Sequence, residues 1–227
     1  MPPAMSPAMD DEALFATLTT RLFTAVVGDV MDTLGLRHQF LPPEIRALTP
    51  QMIIAGRAMP VIESDLAEDS DGEDFGLMFR ALDSLKKNEV YVCAGASPTY
   101  ALWGGLMSTR AMKLAAAGAV MDGFHRDTRE ILALGFPVFS RGAYAQDQKL
   151  RGKVTDFAVP AMFPNGAMVS PGDIVFGDID GVVAIPKDVA IDVVRLAVEK
   201  VSGENTVRRM IEAGGTSEEA FATTGIM

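Results

Sequence analysis

The 227-residue chain is 48% hydrophobic and 22% charged, the balance of a globular protein with enough material for a sizeable core. A formal net charge of −10 argues against a protein that grips nucleic acid through its phosphates, because nothing here would neutralise them. A single cysteine, Cys93, excludes an internal disulfide and a thiolate zinc cluster; within the apolar run Glu89–Ala96 it reads as a buried, inert thiol.

Met1–Asp11 is acidic and rich in Pro and Met, lacks the basic start of a secretory leader, and reads as a loose tail. No uninterrupted apolar run approaches the roughly 20 residues of a membrane span, so a cytoplasmic protein with no membrane partner is expected. Thr17–Leu34 carries Leu18, Leu22, Val26, Val27, Val30 and Met31 at helical spacing, which predicts one amphipathic helix ending at Gly35. Met52–Val61 predicts a strand with Gly56 as a bulge, and acidic Glu63–Glu73 an exposed loop. A helix over Phe75–Leu85 and a buried strand from Val90 to Cys93 follow.

The middle of the chain is the most regular. Gly104-Gly105 precedes a predicted helix, Leu106–Ala117, closed by Gly118. Strand Ala119–Met121 runs into a loop through Asp127; a short helix to Leu134, a stop at Gly135 and strand Pro137–Ser140 complete an α/β pattern. Beyond it, Pro171-Gly172-Asp173 and Asp180-Gly181 are turns around strands Ile174–Phe176 and Val182–Ile185. Ala190–Ala213 is a long helix, with a tail to residue 227. One domain, 1–227, is expected, with no internal repeat.

Two segments have the composition of a site. In Trp103-Gly104-Gly105-Leu106-Met107 a glycine pair opens a helix, where free amides and the helix dipole suit a carboxylate or phosphate; the same pattern is also an ordinary turn. In Asp122-Gly123-Phe124-His125-Arg126-Asp127, which follows a buried strand, one carboxylate can anchor a hard cation whose other oxygens come from water and substrate. The adjacent guanidinium can hold a substrate carboxylate or a developing enolate. The bland alternative is a surface Arg126–Asp127 pair. One helix and one strand separate the two segments, so both can lie at one sheet edge and suit a small 2-oxo acid.

These residues carry a resemblance. Gly104-Gly105-Leu106-Met107, the spacer to Gly118, and Asp122-Gly123-x-x-Arg126-Asp127 resemble the signature of the RraA-like superfamily. The likeness continues through Gly135–Phe139, Pro171–Asp173 and Gly177–Val183, and takes in Val27–Gly35 and Glu219–Met227. The superfamily comprises 4-hydroxy-4-methyl-2-oxoglutarate aldolases, oxaloacetate decarboxylases and the regulator of ribonuclease activity A. The resemblance implies a layered α/β/β/α sandwich related to the phosphohistidine (swivelling) domain, assembled as a homotrimer or homohexamer with sites at subunit interfaces. It implies a metal-dependent lyase in which Asp127 holds Mg²⁺ or Mn²⁺ and Arg126 stabilises a pyruvate enolate. The amides of Gly104, Gly105, Leu106 and Met107 would bind the substrate carboxylate, and Glu204 would act on a neighbour's site. On sequence alone Glu204 is equally a solvated helix-face residue.

Gly105 departs from the pattern: the aldolases usually carry an acidic residue there, so a carboxylate of the proton-handling apparatus is missing. That absence favours a rival reading, a non-enzymatic regulator that binds a ribonuclease or helicase, while the Arg126–Asp127 pair favours the lyase. A menaquinone-pathway methyltransferase, a label the family has carried, lacks the glycine-rich loop and downstream acid that S-adenosylmethionine binding needs. His125 reads either as a solvent-facing residue or as an acid/base, and Trp103 as pocket wall or core.

Overall fold

The computed structural model describes residues 10–67 and 75–226. Its N-terminal part is two helices, α1 (Asp11–Arg21) and α2 (Thr24–Thr33), in place of the one expected. Leu22 and Phe23 are extended between them and the axes bend by 112°. The bend lets Leu14, Phe15 and Leu18 bury beside Val26, Val27, Val30 and Met31 in a single cluster. It also brings the open end of α2 to Asp178, whose carboxylate accepts the N–H (2.8 Å) and hydroxyl (2.7 Å) of Thr24. The end of the expected tail is ordered: Asp10 caps α1 by accepting the Ala13 N–H, and Asp11 pairs with Arg57. The rest of that tail lies outside the described residues.

The chain continues through β1 (Arg46–Ala47), β2 (Ile54–Asp65), α3 (Met78–Ser84), β3 (Glu89–Ala94), β4 (Ala101–Trp103) and α4 (Gly105–Lys113). Next come β5 (Gly118–Met121), β6 (Phe124–His125), α5 (Thr128–Leu134), β7 (Val138–Ser140) and β8 (Gly152–Phe157). Hairpin β9 (Ala161–Met162)–β10 (Met168–Val169), hairpin β11 (Ile174–Asp178)–β12 (Gly181–Ile185), α6 (Ala190–Glu212) and α7 (Ser217–Thr224) complete it. The main sheet has the order β1-β7-β5-β3-β2-β11-β12, with β8 also on β2. It is parallel from β7 to β2 and antiparallel elsewhere.

Side-chain alternation along these strands shows how the layers form. Val90, Val92, Val120, Val175, Val182 and Ala184 point into one core enclosed by the curved sheet. Their neighbours Tyr91, Cys93, Ala119 and Met121 face outward under α3, α4 and α5. Ile174, Phe176, Val183 and Ile185 face outward on the other side, under α1, α2 and α6. The result is the expected α/β/β/α layering. Arg46 on β1 donates to the Asp180 carbonyl in the β11–β12 turn, so the two sheet ends meet.

Four local expectations change. Gly56 is no bulge; it pairs in register with Val175, and a Cβ there would strike the Asn88 carbonyl and come within 2.9 Å of the Ala117 Cβ. The irregularity falls at Ile62/Glu63 instead. Glu63–Asp65, expected in a loop, extends β2, and Glu63 is buried; residues 68–74 of that loop lie outside the description. The helix expected through Ala117 stops at Lys113, because Ala115 turns left-handed (φ +58°) and hands its carbonyl to the Asn88 N–H. Gly118 then opens β5 opposite Val90. Beyond α6 the expected tail contains α7, started by a Thr216–Glu219 capping box.

Candidate active site

Two short parallel strands build the site. β4 and β6 pair with Ala101 opposite Phe124 and Trp103 opposite His125, and the Arg126 N–H donates to the Trp103 carbonyl (2.9 Å). Each strand then runs into a helix, so Gly104-Gly105 at the start of α4 and Arg126-Asp127 at the start of α5 emerge side by side. The two sequence segments singled out above are brought together.

Asp127 occupies the N-cap position of α5 in the left-handed region (φ +59°, ψ +34°) but makes no side-chain cap to its own helix. Asp accepts this conformation at a modest cost, and such residues cluster where function fixes the backbone. Its Oδ2 instead accepts the Gly105 N–H at the start of α4 (3.1 Å), and Oδ1 has no hydrogen-bond partner among the described residues. A Cβ on Gly104 would lie 2.7 Å from that Oδ2, which explains the glycine. The amides of Leu106 and Met107, in the first turn of α4, have no carbonyl one turn back. Arg126 stands between two carboxylates, 3.9 Å from Asp127 and 3.5 Å from Asp147. All three side chains are about one-third exposed or more, so these loose pairs contribute little to stability and leave the guanidinium available.

Gly105 has a neighbour that the sequence pattern did not reveal. The atoms closest to where its Cβ would stand all belong to Glu130, with the Glu130 Cβ 3.1 Å away and the carboxylate nearer still. Glu130 is the third residue of α5, so its side chain rises from the same first turn as Asp127. The only sequence signal was its spacing of three from Asp127, which is unremarkable on a helix.

Beside Arg126 and Asp127 opens a cavity of about 410 Å³, walled by Met78, Phe79, Leu82, Leu102, Leu106 and Met107. Leu106 is 83% exposed at its mouth. Trp103 is both wall and core: it is buried, stacks on Phe136 at 6.0 Å, and donates its indole N–H to Ser108 (2.7 Å).

Four further residues stand apart from this constellation. His125 is buried between Ser140 (2.7 Å) and Thr128 (3.1 Å), and burial holds its pKa below the usual value. It lies beneath the site with both ring nitrogens engaged. Cys93 is buried with its thiol pushed well up by burial, as expected. Asp178 holds the β11–β12 turn through the Asp180 N–H as well as capping α2. Glu204 sits half-buried on α6, in the helical layer on the far side of the sheet from α4 and α5. Within one chain it is not brought to Asp127.

Comparison with known proteins fits this geometry. Residues 24–184, which contain every element of the site, match the RraA-like family, described as Aldolase/RraA. The chain belongs to the RraA-like family. This RraA-like chain is 29% identical over 198 residues to protein DlpA of Legionella pneumophila, covering 87% of itself but only 31% of that protein. The match to a provisionally named 4-hydroxy-4-methyl-2-oxoglutarate aldolase of Halalkalibacterium halodurans is 28% over 197 residues, covering 87% and 88% of the two chains. The fold is shared with RraAS2 of Streptomyces coelicolor, an unusual member of the RNase ES inhibitor RraA family. There the TM-score is 0.76 and the identity 24%, over 88% of this chain and 98% of that one. Among the described residues no single helix is long and apolar enough to cross a membrane.

Proposed function

We propose that this RraA-like protein is a divalent-metal-dependent carbon–carbon lyase that cleaves a small 2-oxo acid through a pyruvate enolate. The observation that carries the reading is the convergence of Arg126, the left-handed Asp127 and the open amides of α4 on one cavity. The aldolase name of the H. halodurans relative supports it.

The donor set fits Mg²⁺ or Mn²⁺. Among the described residues no group of three His, Cys, Asp or Glu forms a protein cage. Asp127 offers one uncommitted carboxylate oxygen, which is what a hard cation needs when it keeps water and takes other oxygens from substrate. When bound there, the metal would draw electron density from the keto oxygen as the carbon–carbon bond breaks.

The chain's own residues do the rest. The Leu106 and Met107 amides hold the substrate carboxylate at the positive end of α4. Arg126 faces the keto oxygen and stabilises the enolate charge. Glu130, filling the space over Gly105, takes the proton from the substrate's C4 hydroxyl and stands in for the missing acidic residue. Glu204 reaches such a site only from a neighbouring copy, in the trimeric or hexameric ring that the resemblance implies. Pyruvate release from oxaloacetate and from 4-hydroxy-4-methyl-2-oxoglutarate, with Mg²⁺ or Mn²⁺ and then with EDTA, tests the proposal in wild type and Asp127→Ala. Metal-dependent release lost in Asp127→Ala is the expected result. No turnover above free metal would transfer the site to the regulator reading.

A further inference from the structure

The cavity beside Arg126 and Asp127 has a chemical bias that the lyase reading alone does not require. Its walls are aliphatic, aromatic and thioether side chains contributed by α3, β4 and α4. Its charged lining residues are Asp83, Asp127 and Asp147 against Arg110 and Arg126, so carboxylates outnumber cations. Both cations already have carboxylate neighbours: Arg110 bonds Asp83 at 2.7 Å, and Arg126 lies between Asp127 and Asp147. A second carboxylate on the far end of a substrate would therefore meet an apolar wall, with Arg110 paired to Asp83 and Arg126 taken up by the reacting end. Burying it there would be costly. An apolar group would instead leave water for a fitting surface, in a cavity whose size is ordinary for a small-molecule site.

We infer that the substrate is a 4-hydroxy-2-oxo acid bearing an alkyl or aryl group at C4, cleaved to pyruvate and the corresponding aldehyde. The inference rests on the lyase reading for its chemistry and on the cavity for its selectivity. In the reaction the C3–C4 bond breaks, the C4 hydroxyl loses its proton as C4 becomes the aldehyde carbon, and the bonding pair remains on C3 as the enolate. A proton returned to C3 gives pyruvate. Atoms and electrons balance without an oxidant or further reactant.

Binding and turnover are measured separately so that the two readings fail separately. Calorimetric titration of the Mg²⁺-loaded protein compares 4-phenyl-2-oxobutanoate, which lacks the hydroxyl and is not cleaved, with 2-oxoglutarate, which carries a distal carboxylate. The phenyl acid should bind at least about tenfold more tightly, the scale of one or more methylenes in an apolar pocket. It should also perturb the fluorescence of Trp103, the only tryptophan. Phe79→Ser, at a wall position 57% exposed, should collapse that preference ratio. In turnover, 4-hydroxy-4-phenyl-2-oxobutanoate should exceed 4-hydroxy-4-methyl-2-oxoglutarate in kcat/KM by a similar factor. Equal affinity for the two acids, or a preference for 2-oxoglutarate, overturns the inference even if oxaloacetate is decarboxylated. If oxaloacetate and both hydroxy acids are inert while the binding preference holds, the lyase reading fails and the apolar selectivity stands. A shift to smaller oligomers in Phe79→Ser with the preference ratio unchanged would assign the wall to a second copy of the chain and overturn the inference as well.

Discussion

Glu130 stands over Gly105: the nearest atoms to a side chain begun at position 105 are those of the Glu130 carboxylate and its stem. The two residues come from different helices, α4 and α5, and meet because β4 and β6 pair. The position that lacks a carboxylate along the chain has one beside it in space. Glu130→Gln should therefore lower kcat for 4-hydroxy-2-oxo acid cleavage about 100-fold, the lower end of general acid–base catalysis. Decarboxylation of oxaloacetate has no hydroxyl proton to remove and should fall much less. Gly105→Asp combined with Glu130→Ala should recover part of the loss, because the new side chain enters the vacated space. Steady-state pyruvate assays on the three proteins decide it; equal losses with both substrates would reduce Glu130 to a packing residue.

Asp127→Asn separates charge from shape. The amide oxygen still accepts the Gly105 N–H, so the thermal midpoint should stay within a few degrees of wild type. Pyruvate release should fall by about 10³-fold or more, with calorimetric Mg²⁺ binding lost, because a hard cation needs the anionic oxygen.

Arg126→Lys keeps the positive charge but loses the planar fork of donors. Oxaloacetate turnover should drop about 100-fold in kcat/KM, a scale typical of removing one donor to a developing oxyanion. Near-wild-type rates in this variant would mean that Arg126 acts only as a point charge.

Glu63 lies on β2 with 1% of its surface exposed and Oε1 without a hydrogen-bond partner among the described residues. Burial, with a lesser push from the Asp65 charge, raises its pKa to about 8. The folded-state value thus lies above the unfolded one, so this carboxyl is tolerated below about pH 4.5 and its contribution is lost as pH rises through about 8. At about 1.4 kcal/mol per unit the loss reaches at most about 5 kcal/mol. Wild-type thermal midpoints should fall between pH 5 and 9, whereas Glu63→Gln should flatten that fall and be the more stable protein at pH 9. Parallel pH profiles for the two would remove Glu63 as the cause.

Asp178→Ala should cost about 1–3 kcal/mol, because three donors, the Thr24 N–H and hydroxyl and the Asp180 N–H, lose one buried acceptor. Chemical denaturation reads this directly. The Asp178→Asn variant, which keeps one carbonyl acceptor, should lie between the two.

Period and punctuation made much of this protein legible in one dimension. Alternating and continuous apolar runs marked β3, β5, β7, β11 and β12; Gly135 marked the end of α5; and Gly104-Gly105 and Arg126-Asp127 marked the two segments that the β4–β6 pair brings together. These are local properties: side-chain periodicity and the preferences of Gly, Pro and Asp depend on near neighbours along the chain. The break between α1 and α2 was not local. Leu22 and Phe23 fit a helix, and the bend exists because Asp178, 154 residues away, caps Thr24 while both helices bury against β11 and β12. The early end of α4 is of the same kind, imposed where the Ala115 carbonyl accepts the Asn88 N–H just before β3 and the Ala117 N–H donates to Glu89 at its start. So are the burial of Glu63 within an acidic stretch and the placing of Glu130 over Gly105. The sequence by itself determined the kind of fold and which two segments make up the candidate site. Only the tertiary structure decided which side chains surround that segment pair and what lines the adjoining cavity, because both depend on residues that meet across strands and helices far apart in the chain.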